Sequence, residues 1–209
     1  MNAREAILSR LQSPPGRSIA QEAAALLIAN ERPHVDASAL ESEMLARLAQ
    51  PSLAASVDQV DGPADVPDAV KRYLTGQGLN AALYCPPDPR LSAMDWTGFT
   101  LDAQVAADQP AVLAIARCGV AETGSLIFET APNAPMLPNF LALHHIVLLP
   151  ADAITAHLED AILPAGPQPR AHYWVTGVSG TTDIEGTYVR GAHGPRFLHV
   201  VLMRRGWGD

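Results

Sequence analysis

Val112-Leu113-Ala114-Ile115-Ala116 is an unbroken apolar run, and Arg117-Cys118-Gly119-Val120-Ala121-Glu122-Thr123-Gly124-Ser125 follows it directly. A short run without polar alternation fits a strand covered on both faces, the habit of parallel sheets. Residues 81–84 and 146–149 repeat the pattern, and 198–203 repeats it with His199 as the interruption. Ile154, Leu158, Ala161 and Ile162 fall at helical spacing between 146–149 and another strand-like stretch, 173–176. Strand, helix, strand in that order implies a right-handed βαβ crossover. The expected fold is α/β: a largely parallel sheet with flanking helices.

Upstream, the pattern is helical. Ala3, Ile7 and Leu11 share a face, 20–30 is alanine-rich, and Leu40, Met44 and Leu48 form a stripe closed by Pro51. Val66, Ala69, Val70, Tyr73 and Leu74 mark an amphipathic helix stopped by Gly76 and Gly78. The chain thus divides into a helical N-terminal segment, 1–60, packing on the core, and an α/β domain, 61–209. Pro132, Pro135 and Pro138 separate the strand-like 126–128 from His144-His145, and Pro164, Pro167 and Pro169 precede the next strand. Proline at this density stiffens a connection. The first of these is either a pocket wall or a plain rigid loop.

Composition removes several function classes. The 209 residues suffice for an apolar core without disulfides or metal. Fourteen basic against 22 acidic residues, a formal charge of -8, argue against sequence-independent nucleic-acid binding, which needs Lys and Arg on phosphates. Two cysteines, Cys85 and Cys118, cannot ligate an iron–sulfur cluster, which takes four, and lack zinc-site spacing. They read as small apolar residues in a reducing compartment. With no leader-like segment and no apolar stretch of membrane-spanning length, the expected location is cytoplasmic.

Three segments could carry chemistry. In the first, Glu122 offers a carboxylate for proton transfer, Thr123 and Ser125 offer hydroxyls, and Gly124 permits close backbone approach. The same residues also suit a hairpin turn. The second is Gly177-Val178-Ser179-Gly180-Thr181-Thr182-Asp183-Ile184-Glu185, placed after a strand where a helix is expected to begin. It suits a small anionic ligand held on free backbone N–H groups by Gly177, Ser179 and Thr181. Thr182 and Glu185 also fit a capping box. The third is Arg190-Gly191-Ala192-His193-Gly194-Pro195, in which His193 suits a general acid/base. Adjacent His144 and His145 point to opposite faces of a strand, so no metal site is expected. The candidate set is Glu122, Asp183 and His193 for catalysis, with Thr123, Gly124, Ser125, Gly177, Ser179, Thr181 and Arg190 for binding. These segments are expected to meet at the carboxyl ends of the strands.

Together, Glu122-Thr123-Gly124-Ser125, His145-Ile146, the 177–185 stretch and Gly191-x-His193-Gly194-Pro195 resemble the LUD family. The resemblance spans about 112–203. It implies a fold like that of ribose-phosphate isomerases and CoA transferases. It also implies a role in oxidising L-lactate to pyruvate together with two iron–sulfur partner proteins, the clusters residing on those partners and no cofactor on this chain. Relatives often carry a basic residue at the position of Gly180. An alternative from another class is a stand-alone enzyme on a phosphosugar or CoA thioester, with Glu122 as nucleophile, and a third is a regulatory domain without chemistry.

Overall fold

The computed structural model describes residues 32–161 and 166–207, with Arg4, Glu5, Ser9 and Ala23. Apart from those four residues, which are helical, the helical stretches expected at 3–11 and 20–30 lie outside the described residues, as do Ile162 and Pro164. Two compact units divide the chain, Met1–Pro33 and His34–Asp209. The second begins with α1 (Leu40–Leu48), β1 (Ala55–Val60), α2 (Val66–Gly76), β2 (Ala82–Tyr84), α3 (Pro89–Ser92), β3 (Thr100–Asp102) and β4 (Ala111–Ile115). It continues through β5 (Cys118–Val120), β6 (Ser125–Glu129), α4 (Pro138–Leu141), β7 (His144–Pro150) and β8 (Ile154–Thr155). Next come β9 (His172–Val175), β10 (Gly180–Thr182), β11 (Tyr188–Arg190) and β12 (Phe197–Met203).

Six strands stand in the order β1-β12-β7-β4-β2-β3, and every neighbouring pair is parallel. All four apolar runs of the sequence are strands of this sheet. Side chains alternate across it with the two-residue period of a strand. Ile146 and Leu148 join Val66, Ala69, Val70 and Leu74 on one face, the stripe that makes α2 amphipathic. Val147 and Leu149 turn the other way, towards Met44, Leu48, Leu126 and Phe128. Each such buried side chain contributes about 1.5–3 kcal/mol.

That second face departs from the expected helices. It is covered by a four-stranded sheet, β8-β5-β6-β9, together with α1. Two residues, Ala116 and Arg117, carry the chain from β4 into β5. The Ala116 N–H still donates to Leu148 in the first sheet, while the Arg117 N–H donates to Ile127 in the second. The expected helix over 154–162 is not formed, because Ile154 pairs with Gly119 as part of β8 and packs between the sheets. Leu158, exposed, therefore shares no helix face with it; the helical turns in 151–160 are the single 3-10 turns Ala151–Ala153 and Leu158–Asp160, on either side of β8. The βαβ crossover into 173–176 falls with it, since β9 pairs antiparallel with β6 in the other sheet. Residues 55–60, read as part of a helical segment, form β1 beside β12. Their Ser-Val-Asp-Gln-Val stretch alternates and lacks the apolar run that marks the inner strands.

Candidate functional site

A cavity of about 290 Å³ opens at the amino ends of β7 and β12, lined by His145 and Leu198 from those strands. Asn139 and Phe140 of α4 form another wall, so the first proline-rich connection does shape a pocket. The chain from Trp174 to Ser179 and the turn His193-Gly194-Pro195 complete it. Its place departs from the carboxyl-end crevice expected of open sheets.

Gly177, Ser179 and His193 of the expected site residues line this cavity. Gly177 is there for packing: its φ is +77°, and a Cβ would lie 2.7 Å from Leu53 Cα. The Val178 N–H donates to the Leu53 carbonyl, locking the two segments together. Thr123 and Ser125 stand behind the wall. Their hydroxyls are 2.7 Å apart, and the Ser125 hydroxyl is 2.6 Å from that of Thr176, a lining residue. Gly124 closes the β5–β6 hairpin by donating its N–H to Val120, so the turn reading of that segment holds.

Glu122 is not among the lining residues. Its Oε2 lies 3.3 Å from His157 Nδ1 and accepts from the Leu158 N–H at 3.3 Å, tying the hairpin to the 157–158 turn. Thr181 and Arg190 belong to the β10–β11 hairpin and are absent from the lining as well. Asp183 occupies the hairpin turn, where Oδ1 accepts from the Glu185 N–H at 2.9 Å and the Thr187 N–H at 2.8 Å. No helix begins at 177–185. Both the anion site at a helix N-terminus and the Thr182–Glu185 capping box are therefore corrected to a hairpin. Backbone amides of the stretch meant for an anion are already engaged: the Val178 N–H donates to Leu53, the Ser179 N–H to Pro195 and the Asp183 N–H to Thr187. Gly180 lies under Tyr188, whose ring occupies the space where a side chain at 180 would begin. Asp183→Ala should speed amide exchange at Glu185 and Thr187 by roughly tenfold, about one charged hydrogen bond, and leave the global melting temperature unchanged. Exchange as slow as in the wild type would refute the turn role.

The residue that sequence reasoning left out of the site is His145. It is 1% exposed, and neither ring nitrogen has a hydrogen-bond partner among the described residues. Burial pushes its imidazole down to about 3, so it is neutral. An unmade hydrogen bond on a buried group costs about 1–3 kcal/mol. The other histidines of the sheet each have a partner on one nitrogen: His144 Nδ1 lies 2.8 Å from Tyr73 Oη, and His199 Nδ1 lies 2.9 Å from Ser56 Oγ, while His199 Nε2 is buried without one. The sequence signal was available as His145-Ile146 inside the resemblance, with strand alternation separating it from His144.

A second cavity, of about 440 Å³, does lie at the carboxyl ends of β4 and β7. None of the expected site residues lines it. Four of its five charged side chains are paired, Arg90 with Asp88 at 2.9 Å and Arg117 with Glu129, while Asp152 is the fifth and Asn133 Nδ2 donates to Asp88 at 3.0 Å. The Arg90 guanidinium holds the Asp88 carboxyl below the usual carboxylate range. No group of three or more His, Cys, Asp or Glu suited to a metal ion occurs among the described residues. No helix there is long and apolar enough to cross a membrane.

A parallel α/β sheet backed by a smaller sheet, with a capped pocket at its amino edge, defines the class of protein. Residues 103–203, from just past β3 to the last residue of β12, match the LUD domain. A stretch of 92 residues is 30% identical to an uncharacterized protein of Neisseria meningitidis serogroup B, covering 42% of this chain and 40% of that protein. Another, of 101 residues, is 30% identical to lactate utilization protein C of Deinococcus radiodurans, covering 44% of this chain and 46% of the relative. The match thus spans less than half of either relative. The crystal structure of a DUF162 family protein from Deinococcus radiodurans superposes with a TM-score of 0.55 at 16% identity, over 81% of this chain and 99% of that one. That likeness concerns the fold. The LUD domain match and the α/β architecture agree with the sequence reading.

Proposed function

We propose that this chain is a ligand-binding, non-redox subunit of a cytoplasmic system oxidising L-lactate to pyruvate, with iron–sulfur clusters on partner proteins. One observation carries the reading: His145, Gly177, Ser179, His193, Gly194 and Pro195, drawn from three segments of the family resemblance, line one cavity. The name of the Deinococcus relative supports the pathway. The chain's thiols suit a passive electronic role. Cys118 is buried and Cys85 half-buried, and burial pushes Cys85 up to about 11, so neither is poised as a thiolate ligand. Electrons leaving lactate would pass to clusters elsewhere, and this chain would bind and position.

Reconstitution tests it. Two iron–sulfur partner proteins, supplied with lactate and an electron acceptor, should form pyruvate only when this chain is added. The purified chain should be colourless and inactive alone. Equal pyruvate formation with and without it would end the reading.

A further inference from the structure

The β10–β11 hairpin springs from the rim of the cavity at the amino ends of β7 and β12, between the lining residues Ser179 and His193. The Gly191 N–H donates to the Ser179 carbonyl at 2.8 Å and pins its root. No third strand joins the pair among the described residues, and Thr182 to Arg190 are all exposed. A two-stranded ribbon alone is marginally stable in water. From root to tip the arm spans about 17 Å, at about 3.3 Å per residue. At the tip Ile184 is fully exposed between the carboxylates Asp183 and Glu185, and Tyr188 is half-exposed further down. The cavity mouth has the complementary character. Phe140, Leu143, Trp174 and Phe197 are partly exposed around it, and no Lys, Arg, Asp or Glu is among its lining residues. Apolar surface gathered in this way marks an interaction site. Next to the lining residue Pro195, Arg196 is exposed and has no carboxylate partner among the described residues; its guanidinium lies 5.8 Å from the Phe197 ring centre.

We infer that two copies of this chain clasp each other, each β10–β11 arm seating Ile184 in the mouth of the other copy's cavity, between Phe140 and Trp174, with Glu185 beside Arg196. One chain carries both halves of this contact: an apolar knob flanked by acid, and an uncharged hole flanked by base. The knob lies outside the cavity of its own chain. A surface that is its own complement closes with two-fold symmetry, so the same contact is made twice. The exposed parts of Phe140, Leu143, Trp174, Phe197, Ile184 and Tyr188 come to roughly 700 Å² per copy, taking about 150–250 Å² for a whole large side chain. That falls within the roughly 600–1,000 Å² per partner of a standard specific interface. The formal charge of -8 on each chain opposes association, and physiological salt screens that repulsion within about 8 Å. An isoleucine side chain fills only part of the 290 Å³ and leaves room beneath it. Resting on the functional reading of that cavity, the ligand site then takes one wall from the second copy and is complete only in the dimer.

Sedimentation equilibrium of the full chain, at about 0.15 M salt, reads the outcome. Expected is the mass of two chains, with Ile184→Glu raising the dimer dissociation constant about tenfold or more, because its carboxylate would be desolvated in an uncharged pocket. Ile184 is fully exposed in the single chain, so this substitution leaves the fold intact, which circular dichroism checks. Mixing Ile184→Cys with Phe140→Cys under a mild oxidant should give a covalent two-chain product well above that of the wild type or of either variant alone. A wild type that sediments as one chain overturns the inference, whether or not an iron–sulfur partner covers the apolar mouth in the assembly. So do a dimer indifferent to Ile184→Glu, a mixture that gives no extra product, and an equal product from Ile184→Cys alone, which would set tip against tip. If lactate oxidation requires a chain that is monomeric, only this inference falls. If an Ile184-dependent dimer forms but lactate oxidation does not require the chain, only the functional reading falls.

Discussion

Stability should fall steeply as the pH drops from 6.5 towards 4, by up to about 1.4 kcal/mol per pH unit for each buried histidine involved. Burial pushes His145 to about 3. It pushes His199 to about 4, with Asp58 opposing the shift and Arg72 adding to it. In the unfolded chain both rings take up a proton near their ordinary value of about 6.5. In the folded chain they stay neutral until the pH is far lower. The unfolded state therefore binds more protons throughout that window, and protonation drains stability from the native state. Above about 6.5 the contribution is fully present. Urea unfolding at pH 7, 5.5 and 4.5 reads the slope directly, and His145→Phe should remove its own share. Stability independent of pH between 7 and 4.5 would contradict the burial of these two rings.

Leu149→Ala should destabilise the protein by about 2–5 kcal/mol, the range for emptying a fully buried leucine site. Leu149 is 0% exposed and sits between the two sheets. Its Cδ2 lies 3.0 Å from where a Cβ on Gly119 would be, so the facing strand has no side chain there to move into the void. The size of the loss depends on how far a site can collapse, and this one is held by strands on both sides. Leu137→Ala, at an exposed position, should change stability by no more than about 0.5 kcal/mol. Chemical unfolding of both variants is the check. A Leu149→Ala loss as small as that at Leu137 would mean the sheets do not pack as described.

The parts of the fold legible in the sequence were those whose side chains report burial on both faces. Residues 112–116, 146–149 and 198–203 have no polar alternation because helix and second sheet cover them from opposite sides. The stripe of α2 was equally plain, since Val66, Ala69, Val70, Tyr73 and Leu74 face one core. The second sheet was obscured by its strand lengths. β5 is three residues long and β8 two, too short for a period to show. The hairpin at 180–190 was mistaken for a helix start because Thr182, Asp183 and Glu185 suit either structure; what decides is Asp183 gathering the amides of Glu185 and Thr187. The site was half-legible for a related reason. Glycines and hydroxyls drew attention to Gly177 and Ser179, whereas His145 looked like one more apolar-strand residue. Its lack of a partner is a property of the folded surroundings, which no local sequence window contains.

The place of β12 has a consequence for how the molecule is made. It is the latest strand along the described chain, yet it lies inside the parallel sheet, between β1 and β7. Ser56 and His199, 143 positions apart, meet across that seam. Until residue 203 leaves the ribosome, β1 and β7 have no common neighbour and two strand edges stand open, the kind that recruit stray chains. The central seam can close only after translation has run through nearly the whole domain. A ribosome stalled before Phe197 would hold a nascent chain with its interior unzipped, a natural client for a chaperone.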